Sequence, residues 1–227
     1  MVALAAAAEI SDAEAVVVGG FTDLIDVVRS VGGPSIEEDD CTAVINADTG
    51  VLAQTWDMHA SAGEFVYLLR IQPDHGPRSL VQTTAGCLGQ MGMNEAGIAI
   101  GINNLTAIGR PGVTWPFVVR KVLMHSSLDD AVKVVLDADL AGGHNLLIVG
   151  PDGAGCNIEA MPGERKVSRV DTGIFVHTNH CLDPRTAVEE GQRNEFNKES
   201  STKRLQNGRA LGSDLESFFS DTVINRR

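Results

Sequence analysis

The sequence predicts an α+β fold, and the spacing of apolar residues in three parts of the chain supports this prediction. Alternation of apolar and polar residues begins at Cys41, two helical stretches follow in the middle of the chain, and short β-rich stretches resume after them. Strands that precede and follow a block of helices are typical of α+β layers. With 227 residues, the chain is long enough for one large domain or two small ones.

Composition and charge disfavour several classes of protein. The 18 basic and 30 acidic side chains give a formal charge of −12, which argues against a nucleic-acid partner because such surfaces need clustered Lys and Arg. No run reaches the roughly 18 apolar residues of a membrane span, and the start of the chain lacks the positive segment of a signal peptide, so we expect a cytoplasmic protein. The four cysteines form no Cys-x-x-Cys pair, which predicts reduced thiols and neither a zinc site nor a disulfide scaffold.

Residues 1–40 form a distinct acidic segment with nine acidic residues and one basic residue, Arg29. The spacing of apolar residues predicts a helix over 21–31, which the Gly-Gly-Pro run at 32–34 ends. The residues with this spacing are Phe21, Leu24, Ile25, Val28 and Val31. Four consecutive carboxylates at 37–40 then predict a solvated, mobile loop just before Cys41.

From Cys41 onwards the pattern predicts a series of strands and two blocks of helix. Residues 42–46 and 51–56 are predicted to form a β-hairpin around a turn at 48–50. The other predicted strands are 64–71, 79–84, 97–103, 145–149, 155–160 and 173–177. The predicted helices are 114–125, 128–138, 202–211 and 214–219, and the polar residues 189–199 predict an exposed linker.

Cys41 is the first candidate catalytic residue, because it begins a strand directly behind the acidic loop and the hairpin brings Asp57 back towards it. If the bond before Cys41 were cut, this residue would hold a thiol nucleophile together with a free α-amine. The ordinary pKa of such an amine, about 7.7 to 8.0, suits a base near neutral pH. The alternative is that Cys41 is a small buried apolar residue, as free cysteines often are.

Three segments in the same order carry a resemblance to a known family. They are CTAVINADTGVLAQTWDM (41–58), GMNEAGIAIGINNL (92–105) and HTNH (177–180). Together they resemble the acyl-CoA:6-aminopenicillanate acyltransferase family, also called peptidase family C45, and more distantly the choloylglycine hydrolase and penicillin V acylase family. The resemblance extends over about residues 15 to 220 and makes the chain look like an N-terminal-nucleophile hydrolase.

This resemblance implies a four-layer αββα sandwich and a zymogen that cleaves itself. Cleavage is expected between Asp40 and Cys41, by attack of the thiol on the Asp40 carbonyl. Residues 1–40 would then be a helical pro-segment that becomes a separate chain, and residues 41–227 would be the catalytic domain.

The resemblance also implies roles for individual residues. Carried onto this sequence, it makes Cys41 the nucleophile, Asp57 the carboxylate that orients the new amine, and Asn103 and Asn179 the oxyanion-hole groups. An amide N–H stabilises a developing oxyanion without adding a titrating charge. Four further polar residues are expected to support this site: Gln54, Asn104, Ser200 and Ser201.

These assignments have structural alternatives. Asp57 also fits a turn after a strand, and Asn103 and Asn179 also fit side chains that satisfy backbone groups at strand ends. Asn104 competes with Asn103, because the register of a strand end is defined only to within a residue or two.

Three neighbouring residues allow other chemistry. His177 and His180 resemble a metal pair, but no third type of ligand clusters near them, which favours structural hydrogen bonds and no metal. Cys181 is expected to pack in the interior, with oxidation against Cys41 as the alternative.

Three features depart from the family pattern. Asp40 stands where glycine is common, Thr55 replaces the asparagine of the Gln-Asn-Trp-Asp motif, and the chain ends at Arg227, before most family members do. The last feature predicts a fragment or a truncated variant with an incomplete core.

The resulting hypothesis is a cysteine amidohydrolase or acyltransferase that acts on a small non-peptide amide or acyl-thioester through an acyl-enzyme on Cys41. No cofactor is expected, acyl-CoA is a candidate substrate, and the cleaved N-terminal segment is the expected protein partner. The alternative hypothesis is an inactive, unprocessed precursor or fragment that serves as a binding module.

Overall fold

The computed structural model describes residues 1–33, 40–105 and 108–225. The helices of this part are α1 (Val2–Ala7), α2 (Asp12–Gly19), α3 (Phe21–Ser30), α4 (Trp115–Val122), α5 (Leu128–Asp137), α6 (Pro184–Ala187), α7 (Glu195–Leu211) and α8 (Leu215–Ser220). The strands are β1 (Ala43–Asn46), β2 (Val51–Gln54), β3 (Val66–Ile71), β4 (Ser79–Thr84), β5 (Met91–Asn94), β6 (Ala99–Leu105), β7 (Gly143–Val149), β8 (Gly155–Ala160), β9 (Arg165–Val170) and β10 (Ile174–His177). A short 3-10 helix, Ala60–Phe65, precedes β3.

The strands form two antiparallel sheets. The smaller sheet has the order β10-β1-β2, and the larger one contains β3 to β9 in chain order. In the smaller sheet Ala43 of β1 lies opposite Gln54 of β2 and His177 of β10. This register brings the segments before β1, after β2 and after β10 to the same end of the sheet, because antiparallel neighbours run in opposite directions.

Apolar side chains between the two sheets hold them face to face. Ile45 of the smaller sheet packs in one cluster with Leu147 and Val149 of the larger sheet. On the far side of the larger sheet, Val119 of α4 and Val135 of α5 join its apolar residues in the main core. Each such buried side chain stabilises the fold by roughly 1.5–3 kcal/mol relative to an exposed one.

The outer face of the smaller sheet is covered by the last two helices. Val44 and Val176 pack there against Leu205 of α7 and Phe218 of α8. The order of layers is therefore α4/α5, large sheet, small sheet and α7/α8. The expected α+β fold with αββα layers is confirmed.

The predicted hairpin is confirmed, with strands shorter than expected. Gly50 in its turn has a φ of +66°, which glycine adopts without the strain of a side chain. Pairing continues beyond β1 and β2, because the Thr55 N–H donates to the Thr42 carbonyl at 2.9 Å and Asp40 forms a bridge with Asp57.

Helix α3 lies where the sequence predicts a helix, but it buries the opposite face. Three of its apolar positions and the apolar residue after it are exposed, whereas two of its carboxylates are only 1% and 2% exposed. The exposed residues are Phe21, Leu24, Val28 and, just after the helix, Val31; the buried ones are Asp23 and Asp26. The helix packs on its polar side because the surface beneath α3 offers hydrogen-bond donors, the N–H groups of Trp115 and Gly143.

Two loop predictions also need correction. The acidic loop at 36–40 lies outside the described residues except for Asp40, which is buried rather than solvated. The expected linker at 189–199 is helical from Glu195, because the side chain of Asn194 accepts a hydrogen bond from the Asn197 N–H and caps α7.

Two strands, β5 and β9, were not anticipated. The sequence of β9, RKVSRV, and that of β5, MGMN, show too little apolar alternation to predict a strand. Within residues 1–33, 40–105 and 108–225, no helix has both the length and the apolar character that crossing a bilayer requires.

Candidate active site

Cys41 is buried at the point where the segment after α3 enters the smaller sheet. The residue before it, Asp40, is paired with Asp57: the Asp57 N–H donates to the Asp40 carbonyl at 2.9 Å. The β1–β2 hairpin therefore brings Asp57 next to the Asp40–Cys41 bond. The acceptor in this contact is the carbonyl that a Cys41 thiol would attack during self-cleavage.

The backbone of Cys41 is held at both ends by long-range polar contacts. Its N–H donates to Oδ1 of Asn179 at 2.7 Å, and its carbonyl accepts from Nη1 of Arg204 at 2.5 Å. Asn179 follows β10 and Arg204 lies on α7, so two separate elements converge on this residue. Such contacts restrict the backbone around Cys41 to a single arrangement.

Arg204 is fully buried and organises the polar groups around the proposed cleavage site. Its Nη2 lies 2.9 Å from Oδ1 of Asp40 and 3.0 Å from Oδ1 of Asn179. Its Nη1 donates to Oγ1 of Thr42 at 3.1 Å, and its Nε donates to Oγ of Ser200 at 3.3 Å. A buried guanidinium requires pairing of this kind, because an isolated charge in the interior is strongly unfavourable.

Ser200 and Ser201, both predicted to support the site, make different contacts. The Ser200 hydroxyl donates to Oδ2 of Asp40 at 3.3 Å, so it completes the Arg204 network. The Ser201 hydroxyl accepts from the Asn179 N–H at 3.0 Å and lies 2.7 Å from Nδ1 of His180. Ser201 therefore orients the loop that carries Asn179.

A cavity of about 30 Å³ adjoins Cys41. Its lining shows which of the predicted asparagines lies near this cysteine. The residues that line it are Thr22, Cys41, Trp56, Gln90, Met91, Ile102, Asn104, Trp115 and His144. Asn104 is on this wall, and its side-chain oxygen has no hydrogen-bond partner within the described part of the chain.

Asn103 is not on the cavity wall. It is fully buried, and its Oδ1 accepts from Nδ2 of Asn145 at 3.2 Å. The carbonyl of Asn104 accepts from Nδ2 of Asn179 at 3.0 Å and from Arg193 at 3.3 Å. The asparagine pair that the structure connects to Cys41 is therefore Asn104 with Asn179.

Gln54 joins the two sheets rather than contacting Cys41 in the structure. Its amide oxygen accepts from the Ile102 N–H at 2.8 Å, and its amide nitrogen donates to the Ile102 carbonyl at 3.2 Å. The side chain thereby satisfies both backbone groups of one residue on β6 and fixes β2 against the larger sheet.

His177 and His180, which resemble a metal pair in the sequence, take part in separate hydrogen-bond networks. Nε2 of His177 lies 2.8 Å from Oε1 of Glu159, which also contacts Thr186. Burial alone would raise the pKa of Glu159, but the hydrogen bond and charge of His177 hold it below the usual value. Burial lowers the pKa of His180 to about 4, so its imidazole is neutral at pH 7. No cluster of three metal-ligating side chains occurs among the described residues.

The other three cysteines have surroundings that disfavour a thiolate. Burial raises the pKa of Cys87 and Cys181 above the ordinary thiol value, and raises that of Cys156 to about 11. None of the three lines the cavity beside Cys41. Their thiols are free, and Sγ of Cys181 lies 3.9 Å from Sδ of Met161.

Comparison with known families identifies the chain. A family model described as acyl-coenzyme A:6-aminopenicillanic acid acyl-transferase matches residues 44–224, which span β1 to α8. The chain belongs to this family. Membership relates the chain to acyl-coenzyme A:6-aminopenicillanic acid acyl-transferases.

A curated relative supports the same membership. The chain is 31% identical over 149 residues to the acyl-coenzyme A:6-aminopenicillanic-acid-acyltransferase 40 kDa form of Emericella nidulans. The match includes 63% of this chain but only 42% of that relative, so the chain spans less than half of the relative's length.

Solved structures with similarity to this acyl-transferase family member include an acylase and a hydrolase. Penicillin V acylase from Agrobacterium tumefaciens aligns with a TM-score of 0.36 and 13% identity, over 79% of this chain and 52% of that one. A single-residue variant of conjugated bile acid hydrolase from Clostridium perfringens aligns with a TM-score of 0.45 and 12% identity, over 74% of this chain and 57% of that one.

Sequence reasoning missed two residues of this site, His144 on β7 and Asp23 on α3. Nothing local marks them, because His144 lies in an apolar strand and Asp23 lies on the polar face of a predicted amphipathic helix. The buried position of Arg204 was not predicted either. Arg204 lies on α7, whose residues are mostly polar, so the sequence gives no sign that this side chain is buried.

Proposed function

We propose that the chain is an autoprocessed cysteine amidohydrolase or acyltransferase, which cleaves or transfers the acyl group of a small amide or acyl-thioester through an acyl-enzyme on Cys41. The observation that carries this proposal is the convergence of Asn179 and Arg204 on the two ends of the Cys41 backbone.

The proposed activation is cleavage of the chain between Asp40 and Cys41. The thiol adds to the Asp40 carbonyl, whose oxygen already accepts the Asp57 N–H at 2.9 Å. A donor aimed at the oxygen where negative charge develops lowers the barrier, typically by about 3–4 kcal/mol for one oxyanion-hole donor. Cleavage would yield chains of residues 1–40 and 41–227.

In the mature enzyme the new α-amine of Cys41 would serve as the base. Oδ1 of Asn179 is 2.7 Å from this nitrogen in the uncut chain and is placed to orient the amine afterwards. The Asp57 carboxylate is proposed to assist in this, and Asn104, on the cavity wall, is a better placed oxyanion donor than Asn103.

The proposed turnover is acyl transfer in two steps. The Cys41 thiolate displaces the amine or thiol of the substrate and keeps the acyl group as a thioester, and the leaving group takes a proton from the α-amine. Water or an acceptor amine then attacks the thioester, which regenerates the thiol. Acyl-CoA fits the first step as a substrate, and neither step requires a cofactor.

A second candidate function is favoured by the size of the cavity. About 30 Å³ accommodates roughly two water molecules and no acyl group. An uncleaved chain with this cavity would be an inactive precursor or a binding module.

The test compares wild type, Cys41→Ala and the matched control Cys181→Ala. We expect wild type and Cys181→Ala to consist of two chains, one beginning Cys-Thr-Ala, and to release the acyl group of a simple thioester or anilide. Cys41→Ala should remain a single chain without acyl adduct or turnover. Intact mass under denaturing conditions and N-terminal sequencing measure the first property, and an acyl-release assay measures the second. An uncut wild-type chain without turnover would contradict the enzyme proposal and support the binding module.

A further inference from the structure

A buried histidine–carboxylate pair adjoins the Cys41 cavity, with His144 on its wall. Nε2 of His144 is 2.6 Å from Oδ1 of Asp23, and both side chains are almost completely buried. His144 is the second residue of β7 and Asp23 lies on α3, so the pair joins the catalytic domain to the N-terminal segment.

Neighbouring contacts fix the orientation of this pair. The second oxygen of Asp23 accepts the N–H of Trp115, the first residue of α4, at 2.8 Å. The indole N–H of Trp115 donates to Oγ1 of Thr22 at 2.9 Å. With both oxygens engaged, the Asp23 carboxylate cannot turn away from His144. When Nε2–H donates to this carboxylate, the lone pair of the imidazole resides on Nδ1.

His144 and Cys41 share one small cavity. Its volume of about 30 Å³ holds roughly two water molecules. Thr22 and Trp115 belong to the same wall, so α3 and the start of α4 form part of the boundary of this space. A proton that moves between the Cys41 thiol and the His144 imidazole would pass through this space.

The uncut chain requires such a base. Before cleavage the nitrogen of Cys41 is a peptide nitrogen, which does not accept a proton, so the amine that serves the mature enzyme does not yet exist. The thiol of an unperturbed cysteine, with a pKa of about 8.5, is mostly protonated at pH 7. A histidine held by a carboxylate is the most common group for removing such a proton.

We propose that His144, oriented by Asp23, is the base that activates Cys41 for self-cleavage of the uncut chain. This inference rests on the proposed function. His144 acts on the thiol proton through water, and Asp23 is a positioning residue contributed by the segment that cleavage releases.

Atoms and protons balance in this step. The thiol proton passes through water to His144, and the sulfur forms a bond with the Asp40 carbonyl carbon. The bond from that carbon to the Cys41 nitrogen breaks, and the nitrogen takes the proton back from His144 to become an amine. A water molecule then hydrolyses the thioester, which gives the Asp40 α-carboxylate and a free thiol.

Among the described residues, Asp26 is a further charged group close to the His144–Asp23 pair. On α3, Asp26 is one turn from Asp23, accepts the Gly143 N–H at 3.3 Å and is paired with Arg29 at 3.0 Å. Across the cavity the titratable group is the Cys41 thiol itself. Asp23 is therefore the carboxylate in direct contact with this imidazole.

The test measures the rate of self-cleavage as a function of pH. Wild type, His144→Gln and the exposed control His75→Gln are made by pulsed cell-free synthesis of the full chain, and the uncut fraction is followed by intact mass. Gln keeps a hydrogen-bond donor for Asp23 but is not a base. We expect His144→Gln to cleave at least about 100-fold more slowly at pH 7 and to approach the wild-type rate at high pH, where hydroxide replaces the base. His75→Gln should follow wild type.

A structural role for His144 would slow cleavage by the same factor at every pH, and that result would overturn the proposal. Asp23→Asn provides a second variant if His144→Gln unfolds, and it should show a smaller slowing with the same dependence on pH. If wild type is cut and Cys41→Ala is not, but both His144→Gln and Asp23→Asn cleave at the wild-type rate, the inference fails and the proposed function stands. If wild type is never cut, both fail.

Discussion

Arg204 accounts for the aspartate that precedes the proposed nucleophile. Its guanidinium and the Asp40 carboxylate form an ion pair at 2.9 Å with essentially no solvent exposure. Loss of one partner from a buried pair costs about 3–5 kcal/mol, because it leaves an uncompensated charge in the interior. Asp40, which stands where glycine is common in the family that the sequence resembles, is therefore matched by a specific cation from α7.

At the same scale, His180 makes the protein sensitive to acid. Burial lowers its pKa to about 4, whereas the ordinary value is about 6.5. Between these two values the unfolded chain binds a proton that the folded chain does not, so stability falls as the pH decreases from about 6.5 to 4. We expect this residue to contribute about 1–3 kcal/mol to the loss of unfolding free energy over that interval.

Urea unfolding at pH 7 and pH 4.5 measures this effect. His180→Gln should lose less stability between the two pH values than wild type, and the exposed control His75→Gln should lose as much as wild type. Equal losses in all three proteins would show that His180 does not titrate as described.

At the scale of elements, α3 is held on the domain by polar contacts. Asp26 accepts the Gly143 N–H, and the α3 backbone carbonyl at the same residue accepts the Gly109 N–H at 3.2 Å. Phe21, Leu24 and Val28 of the helix are exposed to solvent instead. The docking of the N-terminal segment therefore depends on its carboxylates.

Because α3 buries carboxylates and exposes apolar residues, we expect substitution of a buried carboxylate to destabilise the protein more than substitution of an exposed apolar residue. Asp26→Leu removes the acceptor for the Gly143 N–H and a partner of Arg29, so we expect it to lower the free energy of unfolding by about 1–3 kcal/mol. Leu24→Gln, on the exposed face, should change it by less than about 1 kcal/mol. Denaturant unfolding measures both, and a larger loss for Leu24→Gln would mean that the apolar face is the buried one.

At the scale of the whole molecule, stability depends on all four layers being present. Phe218 of α8 is completely buried against the smaller sheet, while its neighbour Phe219 is partly exposed. The two aromatic rings pack edge to face, with their centroids 5.3 Å apart. Removal of the last helix would expose the outer face of the smaller sheet, which carries Val44 and Val176.

The two phenylalanines provide a matched test of this layer. Phe218→Ala should lower the free energy of unfolding by about 3–5 kcal/mol, because it leaves a cavity in the core. Phe219→Ala should cost less than about 1.5 kcal/mol, since it loses mainly an aromatic edge contact. Thermal or denaturant unfolding compares them, and similar losses would indicate that α8 does not seal the sheet.

Local pattern was sufficient for the strands and helices whose apolar spacing is strong. The β1–β2 hairpin, α4 and α5 follow from periodicity, turn residues and a Ser127 cap, all of which act within a few residues. The position of Asp57 beside the Asp40–Cys41 bond could also be predicted locally, because the turn of a hairpin determines which residues of its two strands pair. Strand β9 and the start of α7 were missed because their residues are mostly polar or charged.

By itself, then, the sequence determined the α+β class, the family, and the position of Cys41 and Asp57 at the end of a hairpin. Only the tertiary structure decided that Asn104 rather than Asn103 lies on the cavity wall, that Arg204 is buried, and that α3 turns its carboxylates inward. The physical reason is that these features depend on partners far away in the chain. Asp23 and His144 are 121 residues apart, and no local periodicity records which hydrogen-bond donors another element will present.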